Sequence, residues 1–165
     1  MPAKKPAKWD REVDVVVLGT GGAALVAAIT AHDQGSQVIV LEKTHQIGGT
    51  TAFSGGIPWI PMNRYMKEAG IEDSRENALK YIRRVTGDKV PDPKLLEVYV
   101  DNAYKMIDYL HENTPLRFKV PENYPEYYGY FEGTTTGRSI DPLPYDMNEI
   151  GEYGALIRNN PTFPP

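Results

Sequence analysis

The sequence contains no cysteine. That excludes disulfides, thiolate metal sites and a cysteine nucleophile, and it fits a reducing, cytoplasmic compartment. Histidine is scarce as well, with three in the chain. His111-Glu112 opens like a zinc-binding helix, but Pro115 stands where the second histidine is required, so no metal site is expected. His45 reads as a solvated loop residue. Positive charge is not in excess: the net charge is −4, and neither basic-aromatic interleaving nor metal-finger spacing occurs, which argues against nucleic-acid binding. No apolar run approaches the length of a membrane span. Residues 1–11, MPAKKPAKWDR, are basic and proline-containing with no apolar run behind them. They read as a flexible basic arm, not a signal peptide.

What the chain does contain is concentrated between Val13 and Lys43. Val13 to Leu18 is a β-branched, almost wholly apolar run, the pattern of a strand buried on both faces. It breaks at Gly19-Thr20-Gly21-Gly22, and a small-residue helix with Ala23, Ala24, Val26, Ala27, Ala28 and Ala31 follows. Gly35 closes that helix and Val38 to Leu41 supplies a second buried strand. The order strand, glycine turn, helix, strand is a βαβ unit, and the glycines lie where a strand ends and a helix begins, so a dinucleotide site is expected. Gly19 allows the sharp turn. Gly21 lets a pyrophosphate approach the backbone, and the helix beginning near Gly22 points N–H groups and its positive end at the phosphates. Ala24 replaces the third glycine, where a small side chain suffices. Glu42, at the tip of the second strand, can accept from both ribose hydroxyls, which favours FAD or NAD over NADP.

His45 to Pro61 (HQIGGTTAFSGGIPWIP) is rich in glycine and hydroxyls, then abruptly apolar. Gly48, Gly49, Gly55 and Gly56 permit close backbone approach, and Thr50, Thr51 and Ser54 offer uncharged donors. Such a loop suits the ribityl-phosphate arm of a flavin. Further on, Ser74 to Val85 places Ala78, Ile82 and Val85 on one helical face. Asp92 can cap a helix starting at Pro93, whose expected buried stripe is Leu96, Tyr99, Ala103, Met106, Ile107 and Leu110, and Pro115 stops it. Both helices read as scaffold. Past Thr114 the periodicity fades into prolines, glycines and tyrosines. Four of the 11 tyrosines fall between Tyr124 and Tyr130. Phenols combine an apolar face with a hydroxyl that can relay protons; a packed aromatic cluster or a subunit interface has the same composition.

The combination of VVVLGTGGAA, VIVLEK and GGTTAFSGGIPWIP resembles the N-terminal FAD-binding segment of the flavin-dependent 3-oxosteroid 1-dehydrogenases. It is also similar to relatives acting on simpler cyclic ketones, such as cyclohexanone dehydrogenases, and more distantly to fumarate-reductase flavoproteins. The resemblance runs from about Val13 to Tyr145 but covers only the first third or so of such an enzyme. It implies an α/β chain: an incomplete Rossmann-like FAD-binding domain over 12–145, with helices and an irregular tyrosine- and proline-rich part. The proline-rich tail, 146–165, is expected to pack on a partner chain. The implied cofactor is non-covalent FAD, held by Gly19, Gly21, Gly22, Ala23, Ala24, Glu42, Lys43, Gly48, Gly49, Thr50, Thr51, Ser54, Gly55 and Gly56.

The run Tyr-Pro-Glu-Tyr-Tyr followed by Gly137-Arg138-Ser139-Ile140 is similar to the family's tyrosine pair and Gly-Arg-Ser element. By that likeness Tyr127 lines the active site and supports a second, catalytic tyrosine. The implied reaction is α,β-desaturation of a ketone: a base takes a proton beside the carbonyl, hydride passes to flavin N5, and donors at the carbonyl oxygen stabilise the enolate. The family's principal base and the Tyr/Gly pair at the carbonyl belong to later sequence. The chain is therefore expected to act as one subunit of a flavoprotein divided among polypeptides, with an electron acceptor of unspecified kind. A cut fragment, a fumarate-reductase-like subunit and a non-catalytic FAD-binding or assembly subunit are the alternatives.

Overall fold

The computed structural model describes residues 8–160. Most of the expected basic arm, and Pro161 to Pro165 of the tail, lie outside the described residues. The chain divides into two compact units, one formed by the chain up to Gly55 and from Met147 onward, the other by Gly56–Asp146.

In the first unit β1 (Val15–Leu18) and β2 (Val38–Leu41) pair in parallel, Val15 opposite Val38 and Leu18 opposite Leu41, with α1 (Gly22–Asp33) as the crossover. Parallel strands cannot be joined by a tight hairpin, and the helix provides the return path. Gly35 ends it at φ +87°: its N–H reaches the His32 carbonyl and that of Ser36 reaches Ala31. Asp14 accepts from the Gln37 N–H at 2.8 Å, tying the strand starts together. The expectation that β1 is buried on both faces is corrected here. Val17 is buried, but Val16 and Leu18 are 54% and 77% exposed, and β2, also expected to be buried, has no buried residue. A parallel strand is covered on both faces only when helices flank the sheet on both sides, and the described residues give this sheet two strands.

Residues Met147–Leu156 form short 3₁₀ turns joined at Gly151 (φ 58°). The chain then returns to the loop after β2. Ile47 N–H donates to the Leu156 carbonyl at 2.8 Å, and Arg158 N–H donates to the Ile47 carbonyl at 2.9 Å.

The second unit holds α2 (Arg64–Glu68), α3 (Arg75–Thr86), α4 (Lys94–Asn113) and a short antiparallel pair, β3 (Phe118–Lys119) and β4 (Asp141–Pro142). Ile60, Tyr65, Ala103, Ile107, Phe118 and Ile140 form one core cluster. Ala78 and Leu79 of α3 pack with Leu96 and Val100 of α4 in another. The buried face of α3 is Ala78, Leu79 and Tyr81, with Val85 exposed, rather than the expected Ala78–Ile82–Val85 line. On α4, Val100 is buried where Tyr99 was expected, and the Tyr99 hydroxyl donates to the Trp59 carbonyl at the surface.

Candidate functional site

The turn after β1 forms because Gly19 sits at φ +89°, a conformation that side chains with a Cβ rarely adopt. Its N–H stays on the sheet, donating to the Leu41 carbonyl at 2.7 Å. Gly21 is the N-cap of α1, so the first turn, with Ala23 and Ala24, begins without a capping side chain. Two threonines fasten the following loop to this turn. Gly22 N–H donates to Thr51 Oγ1 and Gly48 N–H donates to Thr20 Oγ1, both at 2.9 Å. Backbone meets backbone between them: a Cβ on Gly49 would stand 3.2 Å from the Gly21 Cα. Thr50 and Thr51 enter a single 3₁₀ turn ending at Phe53, and the Ser54 hydroxyl donates to the Thr51 carbonyl at 2.9 Å. Part of the hydroxyl set singled out from the sequence is thus engaged by the chain's own backbone.

Glu42 lies directly beyond β2. The Thr20 hydroxyl donates to Oε2 at 2.5 Å and the Thr44 N–H to Oε1 at 3.0 Å. The Thr20 hydrogen bond, with the Thr44 N–H behind it, holds this carboxyl below its ordinary range. It is an ionised acceptor at neutral pH, next to a helix start that offers donors. Lys43 is exposed beside it. The first unit therefore brings Gly19, Gly21, Gly22, Ala23, Ala24, Glu42, Lys43, Gly48, Gly49, Thr50, Thr51, Ser54 and Gly55 into one region of chain, while Gly56 and Tyr127 belong to the second unit. An open cavity of about 570 Å³ alongside is lined by Gln46, Thr50, Phe53, Arg158 and Asn159. Arg158 and Asn159 were not expected there. The Ile47–Ile157 bridge delivers them, and no local pattern in the sequence announces a bridge between residues so far apart.

In the second unit Tyr127 is 87% exposed. It is hydrogen-bonded with Tyr124, and that bond, with the neighbouring phenol's charge, raises Tyr124 above the ordinary phenol range. Tyr128 stacks on Phe131 at 4.9 Å, and Tyr130 meets the same ring edge-on at 4.8 Å. The arginine of the Gly-Arg-Ser element lies in the interior of this unit. Arg138 is fully buried, its Nη2 2.6 Å from Asp73 Oδ1 and its Nη1 3.1 Å from Glu126 Oε1. Its guanidinium lies over the rings of Trp59 and Tyr81, at 5.4 and 5.6 Å.

A glycine-turn βαβ unit with an acidic strand tip, closed by a segment returning from past Met147, matches a known family over nearly its whole length. The family model described as FAD binding domain covers residues 14–159. The chain belongs to this FAD-binding domain family. The match begins one residue before β1 and ends beyond the Ile47–Ile157 bridge, so the returning segment is part of what is shared. FAD is the cofactor of the domain. Among curated relatives, the 3-oxosteroid 1-dehydrogenase of Mycolicibacterium smegmatis is 41% identical over 142 residues, 86% of this chain and 25% of the relative. The 4-oxocyclohexanecarboxylate 2-dehydrogenase of Sinomonas cyclohexanicum is 35% identical over 167 residues, 88% of this chain and 29% of the relative. Among solved structures, the 3-ketosteroid delta1-dehydrogenase from Sterolibacterium denitrificans, in complex with 1,4-androstadiene-3,17-dione, superposes with a TM-score of 0.82 at 38% identity. That superposition covers 91% of this chain and 26% of the other. The FAD-binding domain thus has an α/β flavoprotein fold and spans about a quarter of the length of the relatives it matches. Among the described residues no helix is long and apolar enough to cross a membrane.

Proposed function

We propose that this FAD-binding domain is the opening part of an oxidoreductase that desaturates a cyclic ketone at the carbons α and β to its carbonyl. Its βαβ unit is the start of a Rossmann-like domain completed by the rest of the flavoprotein on one or more partner polypeptides. The donor set suits FAD. A Cβ built on Gly19 meets nothing within 4 Å, which leaves open space over the turn. First-turn N–H groups of a helix lack intrahelical acceptors; Thr51 takes that of Gly22, and we assign those of Ala23 and Ala24 to the pyrophosphate. A carboxylate offers about four acceptor positions. Thr20 and Thr44 occupy two on Glu42, and the others suit the two ribose hydroxyls. Gly48, Gly49, Thr50, Thr51, Ser54 and Gly55 are assigned to the rest of the cofactor, with Lys43 flanking it.

When bound, FAD supplies a hydride acceptor at N5. The chain's own contribution to the proton side is the pair Tyr124 and Tyr127. The Tyr124 phenol, held protonated at neutral pH, can donate to Tyr127, which in turn supports a base tyrosine carried outside this chain. The observation that carries the ketone reading over a dicarboxylate one is the state of Arg138. It is the arginine of the Gly-Arg-Ser element that follows the tyrosine stretch, and its charge is spent on two buried carboxylates. No electrostatic handle for fumarate or succinate remains on that side chain.

The test is anaerobic flavin bleaching in the assembled flavoprotein, with saturating cyclohexanone or 4-androstene-3,17-dione. One ketone is expected to bleach it. Tyr127→Phe should keep the flavin and slow bleaching roughly tenfold to a hundredfold, the loss of one supporting hydrogen bond worth about 1–3 kcal/mol in the transition state. Turnover of fumarate or succinate with neither ketone reacting would sink the reading. Bound flavin with no substrate turnover would mark a non-catalytic FAD-binding subunit.

A further inference from the structure

We propose that the buried triad Asp73–Arg138–Glu126 is a positioning device for the phenol pair, with Glu126 as the group through which it acts on Tyr127. The inference rests on the reading of Tyr127 given above.

From Glu122 to Tyr130 the chain has neither helix nor strand, and Glu126 is its one buried residue. Its one buried anchor is therefore a carboxylate, beside the Tyr128 N–H that donates to the Tyr81 hydroxyl at 3.4 Å and the Tyr128 ring stacked on Phe131. Glu126 Oε1 accepts from Trp59 Nε1 at 2.9 Å and from Arg138 Nη1 at 3.1 Å. Oε2 accepts from the Thr134 hydroxyl at 3.0 Å and the Thr135 N–H at 3.4 Å. With both oxygens engaged from different directions, the carboxylate plane cannot rotate without breaking bonds in a dry site.

Arg138 is itself immobilised. Its Nε and Nη2 grip Asp73 in a fork, at 2.9 and 2.6 Å. Asp73 in turn accepts from the N–H groups of Met62 and Ser74, at 3.1 and 2.8 Å. The fork leaves Nη1 aimed at Glu126, a geometry that the single ammonium of lysine cannot reproduce. The chain of contacts runs from the start of α3 through Asp73 and Arg138 to Glu126, and Tyr127 is the next residue along the backbone. Tyr127 stands outward from this anchor, 87% exposed, and its phenol acts on that of Tyr124. Arg138 and Glu126 touch no reacting atom in this scheme; they fix where the phenol stands.

A double-mutant cycle in the assembled flavoprotein separates positioning from simple stabilisation, since groups acting through one another are non-additive. Glu126→Gln is nearly isosteric and removes the charge. It is expected to retain the flavin and to lower the saturated rate of ketone-dependent bleaching about tenfold, with little change in the ketone concentration that half-saturates it. In a Tyr127→Phe background the same substitution should cost less than twofold. A full tenfold loss in both backgrounds overturns the positioning role while leaving Tyr127 in place. An unchanged rate in Tyr127→Phe alone overturns the Tyr127 reading, and this inference with it. If Glu126→Gln sheds its flavin, Thr134→Val, which removes one donor at the exposed rim of the triad, carries the same cycle with the same criteria. Arg138→Lys adds a conservative check, expected to reproduce the Glu126→Gln loss because it keeps the charge and loses the fork.

Discussion

At the scale of single residues, the glycine turn offers a test in which ligand exclusion and misfolding are separable. Gly21 sits at φ −70°, and a Cβ there would meet only Thr51 Oγ1, at an ordinary 3.8 Å. The chain can accept a side chain at this position, whereas a pyrophosphate approaching the cap cannot. Gly21→Val is therefore expected to give folded, flavin-free protein, measured by the absorbance of the purified complex; a full flavin complement would refute the site. Glu42 supplies a pH-dependent counterpart. Its folded-state pKa is lowered, first by the Thr20 hydroxyl and then by the Thr44 N–H, so its stabilising bonds are complete above the unfolded carboxyl value. They are lost as pH falls through the lower folded value. Thr20→Val removes the larger cause. In that variant the carboxylate protonates at a higher pH, and the ribose hydroxyls assigned to it in the proposal are expected to be released sooner on acidification. Acid titration followed by flavin fluorescence should show release beginning at higher pH than in the parent, and an unmoved onset would remove the Thr20 bond from this role.

At the scale of elements, what could be read from the sequence is what local chemistry decides. The βαβ unit was legible because β-branched runs, a glycine break and an alanine-rich helix each act within a few residues. Helix starts were legible for the same reason: Asp92 Oδ1 accepts from the Lys94 N–H at 2.9 Å, the cap expected from the sequence, and the helical stretch read from Ser74 begins with Ser74 Oγ accepting from the Asn77 N–H at 3.2 Å. The faces of the helices were less legible. Tyr81 turns inward because Trp59 stacks on it at 5.9 Å, a contact that periodicity along α3 does not contain, and Val85 is left outside. The five-residue α2, capped by Asn63, is too short to show a period. Arg138 was the least legible. In sequence it stands only as part of a Gly-Arg-Ser element, and only the fold shows that Asp73, 65 residues earlier, and Glu126, 12 residues earlier, consume its charge. The buried core of the second unit and the glycine frame of the first follow from pattern; charge pairing across long separations does not.

At the scale of the whole molecule, the exposed strand faces bear on the proposed association with the rest of a flavoprotein. Leu18 is 77% and Leu41 48% exposed on a sheet that has two strands among the described residues. In a complete α/β domain such positions lie under helices or between strands. An unpaired strand edge with apolar side chains around it invites non-native pairing unless a native partner covers it. The chain also spans only about a quarter of the length of its relatives, so the surface that should cover β1 has an identifiable source in the remainder of a flavoprotein. FAD contributes to the same balance, since a cofactor that binds only the folded domain shifts the equilibrium toward it. Produced alone, the polypeptide of residues 1–165 is expected to be insoluble or flavin-free. Co-expression with the polypeptide carrying the later flavoprotein sequence should restore soluble yellow protein whose intact mass includes both chains. Size-exclusion chromatography with light scattering and a thermal melt decides the matter. A monodisperse, flavin-loaded and cooperatively melting isolated chain would show that β1 needs no further strand, and the proposed association would fall.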